Sequence, residues 1–345
     1  MTKRKPASTP TASAPPATDI RPPGGRRPVP ANVLRAHLAA EARLRGEAAA
    51  ARAGKVTARE CAKDGSHAVL ILPDAHHPHA DPACMAIAER VAALVRPRRI
   101  VILGDWLECA AFTAHPPRSV AEEALHAYSV EIDSCAASID RIVAAAGGVR
   151  PGAVEEVAYI EGNHEAHVER ECIRLGAIGR AVSDLISPRL LLSRGRPWLK
   201  WTPYVAHYAQ DRRPPAHLRG GGMPHYKIAR DLWAIHGWTT ATHAAAKHLQ
   251  MAGTVSIVHG HTHRQQSVTG RCLETGRTVK AWSPGCLSDL QPAWHHTSPS
   301  QWTNGVSVVY AADDCRTADH PRWTDYTITI DRGECVLPGG TSVRA

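Results

Sequence analysis

Five short apolar runs in this chain each end on a residue that can bind a metal ion or carry a proton, and that punctuation limits the folds open to it. Residues 68–72 (AVLIL) run into Pro73, Asp74, Ala75 and His76; residues 100–103 (IVIL) run into Gly104, Asp105, Trp106, Leu107 and Glu108. A third run ending near Ile160 leads to Glu161, Gly162, Asn163, His164 and Glu165. Residues 232–235 lead to His236 and Gly237, and residues 254–258 to His259, Gly260, His261, Thr262 and His263. Apolar runs this short read as buried strands. The stretch 83–95 between the first two has a helical pattern, giving a β-α-β unit. Helices are expected over 120–146 and from about 165 to 186, and further strands over 279–282, 306–310 and 326–330. The early half reads as parallel and wound with helices, the end as antiparallel. The expectation is an α/β body on two sheets or one mixed sheet.

In open α/β sheets, loops at the carboxyl ends of the strands converge from distant parts of the sequence, and ligands bind there. Asp, His and Asn on such loops supply oxygen and nitrogen donors suited to Mn, Fe, Zn or Ni. One Asp after a strand is usually a helix cap or turn residue, and one His is usually a surface residue. Five such positions in succession point instead to a preassembled metal centre.

The cysteines argue against a zinc ribbon. The 9 among 345 residues include no CxxC pair, which also argues against a disulfide scaffold and fits a reduced, cytoplasmic protein with thiols as small core residues. No apolar run approaches the roughly 18 residues of a membrane helix, and no apolar segment follows the basic start, so neither a membrane span nor a secretory signal is expected. The formal charge of +9 is concentrated at one end: residues 1–60 hold 12 Lys plus Arg against 4 Asp plus Glu, leaving 29 against 28 for the rest. Residues 1–30, rich in Pro, Ala, Thr, Ser and Gly, read as disordered, and about 31–53 as a marginal helix. The expected organisation is thus a basic tail over 1–60 and a catalytic body over 61–345. The tail makes DNA or RNA a candidate partner through its charge.

The body resembles the calcineurin-like metallophosphoesterases, whose pattern is DxH, GDxxD, GNH(D/E), a separate His, and GHxH. Here it stands as Asp74-Ala75-His76, Gly104-Asp105 with Glu108, Gly162-Asn163-His164-Glu165, His236-Gly237 and Gly260-His261-Thr262-His263. The resemblance implies a four-layer sandwich of two mixed β-sheets flanked by helices, with two divalent metal ions, manganese first and iron, zinc or nickel as alternatives. It implies that Asp74, His76 and His263 hold one ion, that Asn163, His236 and His261 hold the other, and that Asp105 bridges them. Two ions about 3.5–4 Å apart lower the pKa of a shared water and neutralise phosphate charge. His164 would protonate the leaving oxygen, and Glu108, one methylene longer than the Asp usual at its position, would orient His164.

Two features narrow the subclass. Protein phosphatases of this family continue the second motif with Asp-Arg-Gly, whereas this chain reads Glu108-Cys109-Ala110. The segment 283–287 (SPGCL) followed by 302–305 (WTNG) is similar to the closing part of small bacterial and bacteriophage members. The expected activity is hydrolysis of phosphodiesters, nucleic acid among them, in the cytoplasm of a bacterium or of a phage's host. Alternatives are a phosphomonoesterase acting on small molecules or proteins and, in another class, a silent binding module of the same fold.

Around the motifs, His77, His79 and His167 read first as solvated loop residues and second as groups that tune access. Of His243 and His248 on one helical stretch, at most one can face the site. Residues 210–226, rich in Pro and Gly, read as a surface insertion that could bring Arg212 and Arg213 to a phosphate; His243 is a further candidate substrate contact. Trp106 reads as packing.

Overall fold

The computed structural model describes residues 65–113, 127–204, 224–292 and 300–345. The expected tail, the first residues of the helix expected over 120–146, and Arg212 and Arg213 lie outside the described residues.

The first strand, β1 (Ser66–Leu72), pairs in parallel with β2 (Arg99–Ile102), which pairs with β3 (Glu156–Ile160), which pairs with β4 (Leu199–Thr202). On the other side of β1, β10 (Asn304–Ala312) and β11 (Trp323–Ile330) add antiparallel, giving six strands in the order β11-β10-β1-β2-β3-β4. The second sheet runs β5 (Tyr226–Ala229), β6 (Leu232–Ile235), β7 (Ser256–His259), β9 (Thr278–Pro284) and β8 (Gln265–Arg271), with β6, β7 and β9 parallel. A two-stranded ribbon, β12 (Glu334–Val336) with β13 (Ser342–Arg344), closes the chain.

The continuous apolar runs follow from burial on both faces. Ala68, Leu70 and Leu72 of β1, with Ile100 and Ile102 of β2, face α1 (Pro82–Val95) and α2 (Tyr128–Ala145). Val69, Ile71 and Val101, with Leu103 just beyond β2, point the other way, against Ile228, Leu232, Ala234, Val258 and Trp282 of the second sheet. The second sheet's outer face packs Ile235, Ile257 and Ala281 on Ala245 and Leu249 of α6 (Ala244–Ala252). The order is therefore helices, sheet, sheet, helix: two mixed sheets flanked by helices, as expected. A strand buried on both sides has no polar face, hence the unbroken runs.

The helix expected from about 165 to 186 is two helices, α3 (Glu165–Arg174) and α4 (Ala177–Ile186), followed by α5 (Pro188–Ser193). The break is at Gly176, whose φ of 61° ends α3 in the left-handed region that glycine enters at no steric cost. All eight described cysteines are free and buried, and no described helix is long and apolar enough to cross a membrane.

Candidate metal centre

The carboxyl ends of β1, β2 and β3 in one sheet and of β6 and β7 in the other deliver the motif residues to one edge. His76, Asp105, His261 and His263 all stand at positive φ, between 46° and 68°. Non-glycine residues seldom adopt that backbone, and it persists where the surroundings over-determine it. Here loop hydrogen bonds do so: the amides of Ala75 and His76 donate to Asp105 O, and the His261 amide donates to Asp74 Oδ2 at 2.8 Å. The glycines make room for carboxylates. A Cβ on Gly162 would lie 2.0 Å from Asp105 Oδ1, and one on Gly260 would lie 2.2 Å from Asp74 Oδ1.

Two clusters form. In the first, His263 Nε2 lies 3.0 Å from His76 Nε2 and 3.1 Å from Asp74 Oδ2. In the second, His236 Nε2 lies 3.0 Å from Asn163 Oδ1, 3.2 Å from His261 Nδ1 and 3.2 Å from Asp105 Oδ2. His236 Nδ1 is committed to Leu103 O at 2.7 Å. A carbonyl can only accept, so Nδ1 carries a proton and Nε2 is the atom turned towards the other three. Donors about 2.1 Å from a first-row divalent ion stand about 3.0–3.4 Å from one another. The observed separations have that spacing. Asp74 Oδ1 and His263 Nδ1 are buried without a hydrogen-bond partner. The donor set, all oxygen and imidazole nitrogen, fits manganese, iron, zinc or nickel.

The electrostatics express the same demand for a cation. Burial works against the charged form of His236, yet the Asp105 carboxylate pushes its pKa up to about 10. Burial opposes the charge on His76 as well, but Glu108, with Asp105 and Asp74 behind it, lifts that histidine to about 9. His261 goes the other way, to about 4, through burial and the neighbouring His236. Asp105 is held well below the usual carboxylate range because His236, His164 and His76 outweigh its burial. It joins the second cluster directly and acts on the first through its charge.

Glu108 is placed differently from the expectation. Its Oε2 lies 2.7 Å from His76 Nδ1 and 3.6 Å from His164 Nδ1. It orients the candidate ligand His76, while its backbone oxygen accepts from His164 Nδ1 at 2.8 Å. Burial opposes its charge, but the bond to His76 and nearby His164 hold its pKa down to about 2.

Glu165 was legible in its motif without a role. It is fully buried and accepts from the amides of Asp105, Trp106, Leu107 and Gly162 and from the Tyr159 hydroxyl, tying the loop after β2 to the loop after β3. Trp302 packs edge-on against His263 at 4.2 Å, and Tyr204 against His236 at 5.8 Å. His77 is not a solvated loop residue: it is buried, bonded to Ser134 and Ser138 of α2, and burial and Arg141 lower its pKa to about 4. Trp106 packs in the core as expected, donating to Pro73 O. Of the pair on the α6 stretch, His248 is buried against Trp238 and His259, while His243 is exposed at the N-terminal end of α6 and belongs to neither cluster.

No family model matches the chain, and no curated protein matches it. Among solved structures it is similar to a single-mutant Vps29 from Entamoeba histolytica, at 13% identity over 81% of this chain and 99% of that chain, with a TM-score of 0.36. It is also similar to TT1561 of Thermus thermophilus, at 10% identity over 76% of this chain and 98% of that chain, with a TM-score of 0.33.

Proposed function

We propose that the protein is a dinuclear metal-dependent hydrolase of phosphoric esters, acting on phosphodiesters. The observation that carries this reading is the convergence of Asn163, His261 and Asp105 on His236 Nε2 beside the Asp74, His76 and His263 cluster. Asp74, His76 and His263 would hold one ion; Asn163, His236 and His261 would hold the other, with Asp105 between them. Two divalent ions held there would activate water at neutral pH and neutralise charge on the phosphate oxygens.

The chain's own residues do the rest. His76 keeps its Nε2 lone pair aimed inward because Glu108 accepts at Nδ1, and His236 does so because Leu103 O accepts at its Nδ1. His164 is tied at Nδ1 to Glu108 O, which leaves Nε2 as the atom that carries the transferred proton. Its side chain is 22% exposed, within reach of an ester, with Glu108 Oε2 at 3.6 Å from Nδ1. When the phosphorus–oxygen ester bond breaks, the leaving oxygen takes the Nε2 proton and the water oxygen stays on phosphorus. Asp105 Oδ1 accepts from the His164 amide at 2.9 Å, so the proton donor and the ligand cluster are held in one frame.

The basic tail favours a nucleic-acid substrate by raising its local concentration. Deleting residues 1–60 should weaken DNA or RNA binding in a salt-dependent way and leave hydrolysis of a small ester intact.

The deciding experiment is metal content with hydrolysis of bis-p-nitrophenyl phosphate and p-nitrophenyl phosphate after reconstitution with manganese. About two ions per chain and turnover of the diester are expected, and His164→Ala should keep the metal and lose the turnover. Absence of bound metal, or activity confined to the monoester, would overturn the reading.

A further inference from the structure

Next to the second ligand cluster, three ring side chains pack together that belong to neither cluster: Trp238, His248 and His259. His248, on α6, is fully buried between the other two. Its ring meets Trp238 edge-on at 4.1 Å and lies stacked on His259 at 4.1 Å. Both neighbours sit on loops that carry candidate ligands, Trp238 two residues after His236 and His259 two residues before His261.

His248 also holds backbone. Its Nδ1 donates to Ala244 O at 2.8 Å, one turn back along α6. Burial lowers its pKa to about 4, so at neutral pH the ring keeps its one proton at Nδ1 and offers Nε2 as an acceptor. The Trp238 amide donates to that Nε2 at 3.3 Å. Gly237 passes close to the support and to a ligand alike: a Cβ there would lie 3.5 Å from His248 Nε2 and 3.1 Å from His261 Cβ. The Gly260 amide donates to His236 O at 2.8 Å, which fastens the second loop to the first. His248 thus touches both loops, and the ligand atoms they present, His236 Nε2 and His261 Nδ1, stand 3.2 Å apart.

The first cluster depends less on this support. Asp74 and His76 follow β1, in the other sheet. His263, the first-cluster residue that shares a loop with His261, has a hold of its own: the Thr303 amide donates to its carbonyl at 2.8 Å, and Trp302 packs on its ring.

Resting on the dinuclear hydrolase reading, we propose that His248 is a positioning residue for the second ion: through its Nε2 acceptor and its stacked ring it sets the spacing of His236 and His261 from α6. Supports of this kind preorganise ligands that loop backbone alone would leave loose.

The test is manganese titration of metal-free, full-length protein by calorimetry, with folding checked by circular dichroism. His248→Leu, close to histidine in size and unable to accept, should raise Kd for the second ion about tenfold and leave the first within about twofold. His248→Gln, which restores an acceptor oxygen, should recover much of the lost affinity; it also keeps the comparison open if leucine is not tolerated, since the second ion should still be the one weakened. In Asn163→Ala, which already lacks a second-ion ligand, His248→Leu should cause no further loss of manganese. Weakening of both ions alike, parent-like affinity for both, or a second-ion loss as large with glutamine as with leucine would each overturn the proposal; manganese binding and bis-p-nitrophenyl phosphate turnover by the parent would then keep the hydrolase reading. A parent that binds no manganese would overturn both.

Discussion

The two ends of β1 and β2 carry buried polar groups of the same chemical kinds, arranged to opposite effect. At the amino-terminal ends, buried Arg99 donates through Nε to His67 Nε2 at 3.0 Å and through Nη1 to Ile228 O at 2.8 Å, and His67 Nδ1 reaches Asp313 Oδ1 at 2.8 Å. Donors there face acceptors, and burial with Arg99 beside it lowers the pKa of His67. At the carboxyl-terminal ends, carboxylates, an amide oxygen and imidazoles crowd round His236 and His263, and the carboxylates lift His236 and His76 well above the ordinary imidazole range. The amino-terminal group ties the two sheets together through Ile228 O. The carboxyl-terminal group is short of positive charge. A buried histidine is thus no signal by itself; what distinguishes a site is whether its neighbours' polarities already cancel.

That contrast can be broken from either end. The largest effect should come from Asp105→Asn, which removes the carboxylate without removing bulk: bound metal should be lost and diester turnover should drop by roughly 10³-fold or more, with the fold retained in circular dichroism. Arg99→Met should do the reverse. Leaving His67 Nε2 and Ile228 O unmet should cost about 3 kcal/mol in urea unfolding, while metal stoichiometry stays at the parent value. Glu108→Ala should lower metal affinity by about 10- to 100-fold in titration calorimetry, because His76 loses the acceptor that fixes its ring.

The smallest effect concerns Glu131 of α2, which accepts from the Cys109 amide at 2.7 Å just after Glu108. Burial raises its pKa to about 8 against that bond. A folded-state pKa above the unfolded value means the contribution to stability is fully present below about pH 4.5 and lost as pH rises through about 8. Glu131→Gln should therefore flatten the fall in stability over that window, by on the order of 2 kcal/mol, as followed by denaturant midpoints at each pH.

The sequence disclosed what depends on chain order and hid what depends on backbone geometry. Buried strands such as β1 and β2 were visible as unbroken apolar runs, and with them the edge where Asp74, His76, Asp105, Asn163, His236, His261 and His263 gather. Strand β8 was missed because QQSVTGR shows no apolar run and is nowhere fully buried. Strand β4 (LKWT) and the terminal ribbon were missed because they are short and sit at edges. Glu108 lay in the right loop, but its Oε2 stands between two imidazoles, 2.7 Å from His76 Nδ1 and 3.6 Å from His164 Nδ1, a difference no residue order encodes. The role of Glu165 was out of reach because four of its five donors are backbone amides, which nearly every residue carries.

The candidate ligands are divided between the layers: Asp74, His76, Asp105 and Asn163 follow strands of the six-stranded sheet, and His236, His261 and His263 follow strands of the other. An ion bound to both groups would span the seam, so the layers could part only by giving it up. Release of the ion into a strong chelator would then act as a clock for separation of the two sheets, slow where the seam is tight and quicker wherever a substitution loosens it, even at positions far from the ion.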